Sequence, residues 1–278
     1  MSSLERAFET LRSKGDGALV AYVCAGDPDI PFTVDQVRTL AGSGADIIEL
    51  GIPFSDPVAD GPVIQGAMNR SLSAGFTTAN VFEIAQSIRG LGISSPLVVM
   101  TYYNPVLQFG VEEFCRRSSQ NGIDGLLVVD LPPEESQEMD DFASANGLHI
   151  IRLVAPSTAD ARIDEIVSRS SGFVYAVSTA GTTGARTDLP SSAGPLISRI
   201  TSRTRLPVAL GFGISTPAHV RAALSLGASG VVEGSRLISI YAPSLPDRPR
   251  ALEALRRHSL EMKDATVGGL SVVRSAQS

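Results

Sequence analysis

Lysine is nearly missing from this 278-residue chain: Lys14 and Lys263 are the only two, and arginine supplies the rest of the 23 basic residues. Chemistry through a Schiff-base lysine, with a carbonyl substrate or with pyridoxal phosphate, has almost nowhere to sit. Cysteine is equally scarce. Cys24 and Cys115 cannot build a disulfide framework or a metal-binding spacing, so a reducing cytoplasm is the expected compartment. His149, His219 and His258 are scattered without ligand spacing, and no metal is expected. No apolar run approaches the roughly 18 residues of a membrane span. The 23 basic and 29 acidic residues give a net charge of -6 without a concentrated block of either sign. Nucleic acid therefore meets no basic footprint.

What the chain does have is 43% hydrophobic residues in short runs separated by Gly and Pro. Eight such runs read as strands: Leu19–Cys24, Asp46–Leu50, Leu97–Thr101, Gly125–Val129, His149–Val154, Phe173–Val177, Val208–Gly211 and Gly230–Val232. Helix-length segments follow them, near Phe32–Ser43, Thr78–Arg89, Val111–Asn121, Glu134–Asn146, Ala159–Ser170, Ala193–Arg203, Pro217–Leu226 and Arg236–Tyr241. Strict strand–helix alternation implies a parallel sheet with right-handed crossovers, and eight units match a single α/β (β/α)8 TIM barrel. An amphipathic N-terminal segment, Leu4–Leu11, and a C-terminal one, Arg250–Lys263, are read as extra flanking helices. The basic and apolar residues near the N-terminus superficially imitate a signal peptide. Glu5, Glu9 and Asp16 interrupt them, which favours a helix followed by a buried strand. The barrel is expected to occupy residues 1–265, with the Gly- and Ser-rich stretch 266–278 as a mobile tail.

In such barrels the chemistry gathers at the carboxyl ends of the strands. Three Gly-rich ends stand out: Ala180-Gly181-Thr182-Thr183-Gly184-Ala185, Gly211-Phe212-Gly213-Ile214-Ser215 and Glu233-Gly234-Ser235-Arg236. Each alone is an ordinary tight turn. Together, at three consecutive strand ends, they fit a phosphate site, with Ser235 adding a hydroxyl. Two carboxylates form the second signal. Alternation in Ala45–Leu50 puts Ala45, Ile47 and Glu49 on one face and Asp46, Ile48 and Leu50 on the other, and either face can be the lumen. An inward Glu49 would be a desolvated proton-transfer group; an outward one would pair with an arginine of the helix layer. Asp60, in the long loop from Gly51 to Pro62, is either functional or the cap of a helix starting near Pro62.

The run Glu49-Leu50-Gly51-Ile52-Pro53-Phe54-Ser55-Asp56-Pro57-Val58-Ala59-Asp60-Gly61-Pro62-Val63-Ile64-Gln65 closely resembles the hallmark segment of the tryptophan synthase alpha chain family. Ala25-Gly26-Asp27-Pro28, Met100-Thr101-Tyr102-Tyr103-Asn104-Pro105, Gly172–Ser178, Thr183–Arg186 and Gly211–Ser215 resemble it too, in the family's order, up to about Lys263. The resemblance implies retro-aldol cleavage of indole-3-glycerol phosphate to indole and glyceraldehyde 3-phosphate, without a Schiff base or a cofactor of its own. It assigns proton transfer at indole C3 to Glu49 and the ring N–H to Asp60. Tyr175 would position the glycerol portion. Tyr22, Met100, Leu127, Val129, Phe212 and Val232 would line the indole pocket, although each taken alone reads better as barrel core. Gly184, Gly213, Gly234 and Ser235 would hold phosphate, and Thr183 would reach Asp60 on loop closure.

The implied partner is a tryptophan synthase beta chain carrying pyridoxal phosphate, in an alpha2-beta2 assembly. Asp56 and its loop resemble the region that meets it. A free-standing lyase and a subunit that only docks and activates a partner are the alternatives; retention of Glu49 and Asp60 counts against the second. The chain departs from the family at Ala21–Cys24 and at Glu233, where an uncharged residue is usual. An inward Val232 would turn Glu233 outward, toward a pairing with Arg236.

Overall fold

The computed structural model describes residues 1–177, 189–211 and 213–270. Its strands are β1 (Ala18–Cys24), β2 (Ile47–Gly51), β3 (Leu97–Thr101), β4 (Gly125–Val128), β5 (His149–Ile150), β6 (Arg152–Val154), β7 (Val174–Val177), β8 (Val208–Gly211) and β9 (Gly230–Glu233). Every pairing is parallel, in the order β5-β4-β3-β2-β1-β9-β8-β7-β6. β5 and β6, at the two ends of that order, are halves of one segment interrupted at Ile151. The expected fifth strand, His149–Val154, is thus split: its first half pairs with β4 and its second with β7. Ser171 spans the break, its N–H donating to Ile150 O at 2.8 Å and its hydroxyl accepting from Ile150 N–H at 2.9 Å. The sheet closes through this one segment into the expected TIM barrel. The strands read as unbroken apolar runs because they are covered on both faces; all seven residues of β1 are buried.

Among the described residues, two α-helices lie beyond the eight expected after the strands and the two expected at the ends. Pro62–Ser73 follows the long loop after β2, and Tyr103–Phe109 follows β3 at once. The N-terminal segment is a helix over Ser3–Lys14, capped by Ser2 and Glu5 in a reciprocal box. It turns Leu4, Phe8 and Leu11 inward at the barrel's amino end, where Phe8 meets Phe173 with ring centroids 5.6 Å apart. At the other terminus the helix Arg248–Asp264 packs against the helix Ile30–Gly42, burying Ala251, Leu255, Ser259 and Met262. The body does not stop at 265. Thr266 is buried, its carbonyl accepts Gly17 N–H at 2.9 Å, and Leu270 N–H reaches Gly15 O at 2.9 Å, because these residues run beside the start of β1. Residues 271–278 of the expected tail lie outside the described residues.

Lys263 Nζ is 2.8 Å from Asp46 Oδ2, which also accepts Leu19 N–H at 2.8 Å. This pair decides the orientation of β2. Asp46 faces the helix layer, so Glu49, three residues on, faces the lumen.

Candidate active site

Glu49 stands opposite Tyr22 on β1 and Val98 on β3 in the parallel register. It is 1% exposed, and its Oε1 has no hydrogen-bond partner. Burial, and secondarily the charge of Asp60, pushes the Glu49 carboxyl up to about 8. Glu49 is therefore largely protonated at neutral pH, the state of an acid ready to donate.

Asp60 arrives from the loop. It is not a helix cap: Gly61 occupies the N-cap of Pro62–Ser73 and no side chain caps that helix. The buried Asp60 carboxylate instead accepts a 2.7 Å hydrogen bond from the Tyr102 hydroxyl on Oδ2, while Oδ1 is unpartnered. Burial raises its pKa and the Tyr102 bond opposes that rise. Ala59 N–H donates to the same Tyr102 oxygen at 3.0 Å, and Phe54 lies against the Tyr102 ring with centroids 5.2 Å apart. Tyr102 thus holds the loop against the barrel mouth. In the sequence Tyr102 stands within a family-like motif with nothing to single it out; its place beside Asp60 depends on a contact 42 residues distant.

Glu49 and Asp60 share one cleft with Tyr22, Met100, Tyr175 and Val232, and Gly213, Gly234 and Ser235 line it as well. Three buried polar atoms in it lack partners: Tyr22 Oη, Glu49 Oε1 and Asp60 Oδ1. Buried polar atoms are nearly always paired, so three orphans in one cleft suit a ligand with polar groups of its own. Gly51 is needed for a different reason from phosphate contact. A Cβ there would come within 2.2 Å of Tyr22 Oη, so the tyrosine lies across the strand end only because Gly51 has no side chain. Tyr175 crosses Gly211 in the same way, also at 2.2 Å.

Not every expected residue joins the cleft. Leu127 shares the face of its neighbour Met100 but is fully enclosed in the barrel core. Val129 lies past the end of β4 in a separate surface cleft with Asp130, Leu131 and Arg152. Thr183, Gly184 and Phe212 lie outside the described residues.

A profile of the family described as tryptophan synthase alpha chain matches residues 8–267. The tryptophan synthase alpha chain of Carboxydothermus hydrogenoformans is 44% identical over 258 residues, covering 92% of this chain and 96% of that one. That of Methanosarcina acetivorans is 45% identical over 265 residues, 95% of this chain and 94% of the other. This chain belongs to the tryptophan synthase alpha chain family. Among solved structures, the Mycobacterium tuberculosis tryptophan synthase superposes with a TM-score of 0.88 at 35% identity, covering 96% of this chain and 98% of that one. The tryptophan synthase a2b2 complex of Pyrococcus furiosus gives 0.83 at 42% identity, covering 89% and 98%.

One feature of this alpha-chain family member corrects the expectation at Glu233. Its side chain does turn away from the lumen, but its partner is not Arg236, which is exposed. Glu233 is 1% exposed and its Oε1 lies 2.6 Å from His258 Nε2 on the helix Arg248–Asp264.

Proposed function

We propose that this chain is the alpha subunit of a tryptophan synthase and cleaves indole-3-glycerol phosphate to indole and glyceraldehyde 3-phosphate in tryptophan biosynthesis. The observation that carries the reading is the pair of buried carboxylates: Glu49, held up to about 8, and Asp60, tied to Tyr102. The indole ring lies among Tyr22, Met100, Tyr175 and Val232, and its N–H donates to Asp60 Oδ1. Protonated Glu49 gives its proton to C3. The ring becomes an electron-poor indolenine cation, which the Asp60 carboxylate stabilises. The Glu49 carboxylate then takes the proton of the hydroxyl on the adjacent glycerol carbon. As that O–H bond breaks, the carbon becomes an aldehyde and the electrons of the carbon–carbon bond return to the ring, restoring its aromaticity. The proton delivered first stays on C3, and Glu49 ends protonated as it began. Two carboxylates in different environments divide acid–base and electrostatic work.

Gly213, Gly234 and Ser235, with Gly184, hold the phosphate. No cofactor of this chain enters the reaction, and pyridoxal phosphate belongs to the beta-chain partner. An alpha2-beta2 assembly follows from the family, and the loop carrying Asp56 and the 87%-exposed Val58 is the surface assigned to the beta chain. A cytoplasmic location fits this assignment, and no helix among the described residues is long and apolar enough to cross a membrane.

The test is indole release from indole-3-glycerol phosphate by the purified chain, with and without a tryptophan synthase beta chain. Slow release strongly accelerated by the beta chain is expected. Fast release by the chain alone would indicate a free-standing lyase, and none in either condition would overturn the enzymatic reading.

A further inference from the structure

Glu233 is the last residue of β9, and the next two residues, Gly234 and Ser235, line the cleft. Successive residues of this strand end point opposite ways: Val232 into the cleft, Glu233 into the helix layer. The main chain at Gly234 bends sharply away from strand geometry, with φ -128° and ψ -84°, and the helix Ser235–Tyr241 starts directly after it. The turn that faces the cleft is thus joined, one residue earlier, to a buried carboxylate that reaches across to the last helix of the fold.

A carboxylate in this position is costly in two ways. It is desolvated, and it is an anion close behind a turn assigned to a phosphate dianion. Burial pushes the Glu233 carboxyl up, and the hydrogen bond and charge of His258 act against that rise, with a smaller contribution from Arg236 on the helix Ser235–Tyr241. His258 and Arg236 are the titratable groups acting on it. A carboxylate serving only the barrel core would be better replaced by an apolar side chain. A carboxylate joined to a histidine couples the turn to the C-terminal helix and lets a proton cancel its charge.

We propose that Glu233 and His258 are positioning residues for the substrate phosphate, a buried brace that fixes the Gly234–Ser235 turn and neutralises the charge behind it. The proposal rests on the reading of Gly213, Gly234 and Ser235 as the phosphate end of the cleft. It assigns the pair an effect on phosphate affinity, not on the chemical step at Glu49.

The experiment measures kcat and KM for indole-3-glycerol phosphate, together with separate affinities for glycerol 3-phosphate and for indole, in the full chain. His258→Gln retains an N–H donor but cannot carry the proton. It should raise KM and weaken glycerol 3-phosphate binding about tenfold, the scale of one charge-assisted hydrogen bond, with kcat and indole affinity little changed. The double variant Glu233→Gln/His258→Gln restores an uncharged hydrogen-bonded pair and should bring glycerol 3-phosphate affinity back. Glu233→Gln alone should bind it at least as tightly as the parent, and this variant carries the test if His258→Gln does not fold. Equal weakening of phosphate and indole binding, or a loss that the double variant does not repair, would reduce the pair to general structural support. Ser235→Ala separates the two levels. If it weakens glycerol 3-phosphate while His258→Gln does not, the brace is wrong; if Ser235→Ala has no effect, the phosphate assignment falls and the brace with it.

Discussion

Tyr102 and Asp60 are joined by a 2.7 Å hydrogen bond between the phenol and Oδ2, and the same phenol oxygen accepts Ala59 N–H at 3.0 Å. One side chain just after β3 therefore holds a carboxylate that belongs to a loop and favours its ionised form against the burial that raises its pKa. Without it Asp60 would be tied down only by its neighbours in the chain.

Tyr102→Phe removes both bonds and little volume. The Tyr102 bond favours ionised Asp60, so its loss raises the Asp60 pKa. The acid limb of the kcat/KM profile should move to higher pH, and kcat/KM at neutral pH should fall about tenfold, as expected for losing a hydrogen bond to a charged group. An unchanged profile would show that Tyr102 does not govern Asp60.

Glu49→Gln should fold and lose nearly all cleavage. Its effect on stability has a definite sign. The folded-state Glu49 pKa is raised from 4.5 to about 8, so between those values the folded chain holds a proton that the unfolded chain has released. Stability from this group is full below the unfolded pKa and is lost as pH rises toward and through about 8. Gln imitates the protonated acid. The variant should therefore melt near the parent temperature at pH 5 and above it at pH 9. A melting difference that does not grow with pH would contradict the buried, protonated state.

Gly51→Ala places a methyl group where Tyr22 Oη now lies. The tyrosine must swing into the cleft or the strand end must shift. Cleavage should drop at least tenfold, with a stability loss of about 1–3 kcal/mol typical of overpacking. Steady-state kinetics and urea unfolding check the two parts, and a fully active variant would place Tyr22 elsewhere.

Lys263 serves the fold. Lys263→Met leaves Asp46 half-buried beside β1 without its cation, which should cost about 1–3 kcal/mol in urea unfolding. Indole release per folded molecule should be unchanged, as it should be for Lys14→Met. Borohydride added during turnover should trap no adduct. A trapped substrate on either lysine would overturn the Schiff-base-free mechanism.

The sequence alone determined the barrel, the order of its strands and the identity of the reactive loop. Those features are local: an apolar run covered on both faces and a glycine ending a helix leave their mark within a few residues. The family resemblance pairs Glu49 and Asp60 as one site, but the residues by themselves do not, since alternation leaves the inward face of β2 open and Asp60 also fits a helix cap. Tertiary contacts decided both questions, Lys263 by drawing Asp46 outward and Tyr102 by holding Asp60 over the mouth. Distance along the chain hid the closure of the sheet at Ile151 and the pairing of Glu233 with His258 as well. Such relationships depend on where the crossovers bring remote segments together. Only the closed barrel sets those distances, because each strand's register fixes the face and height of every side chain its neighbours can reach.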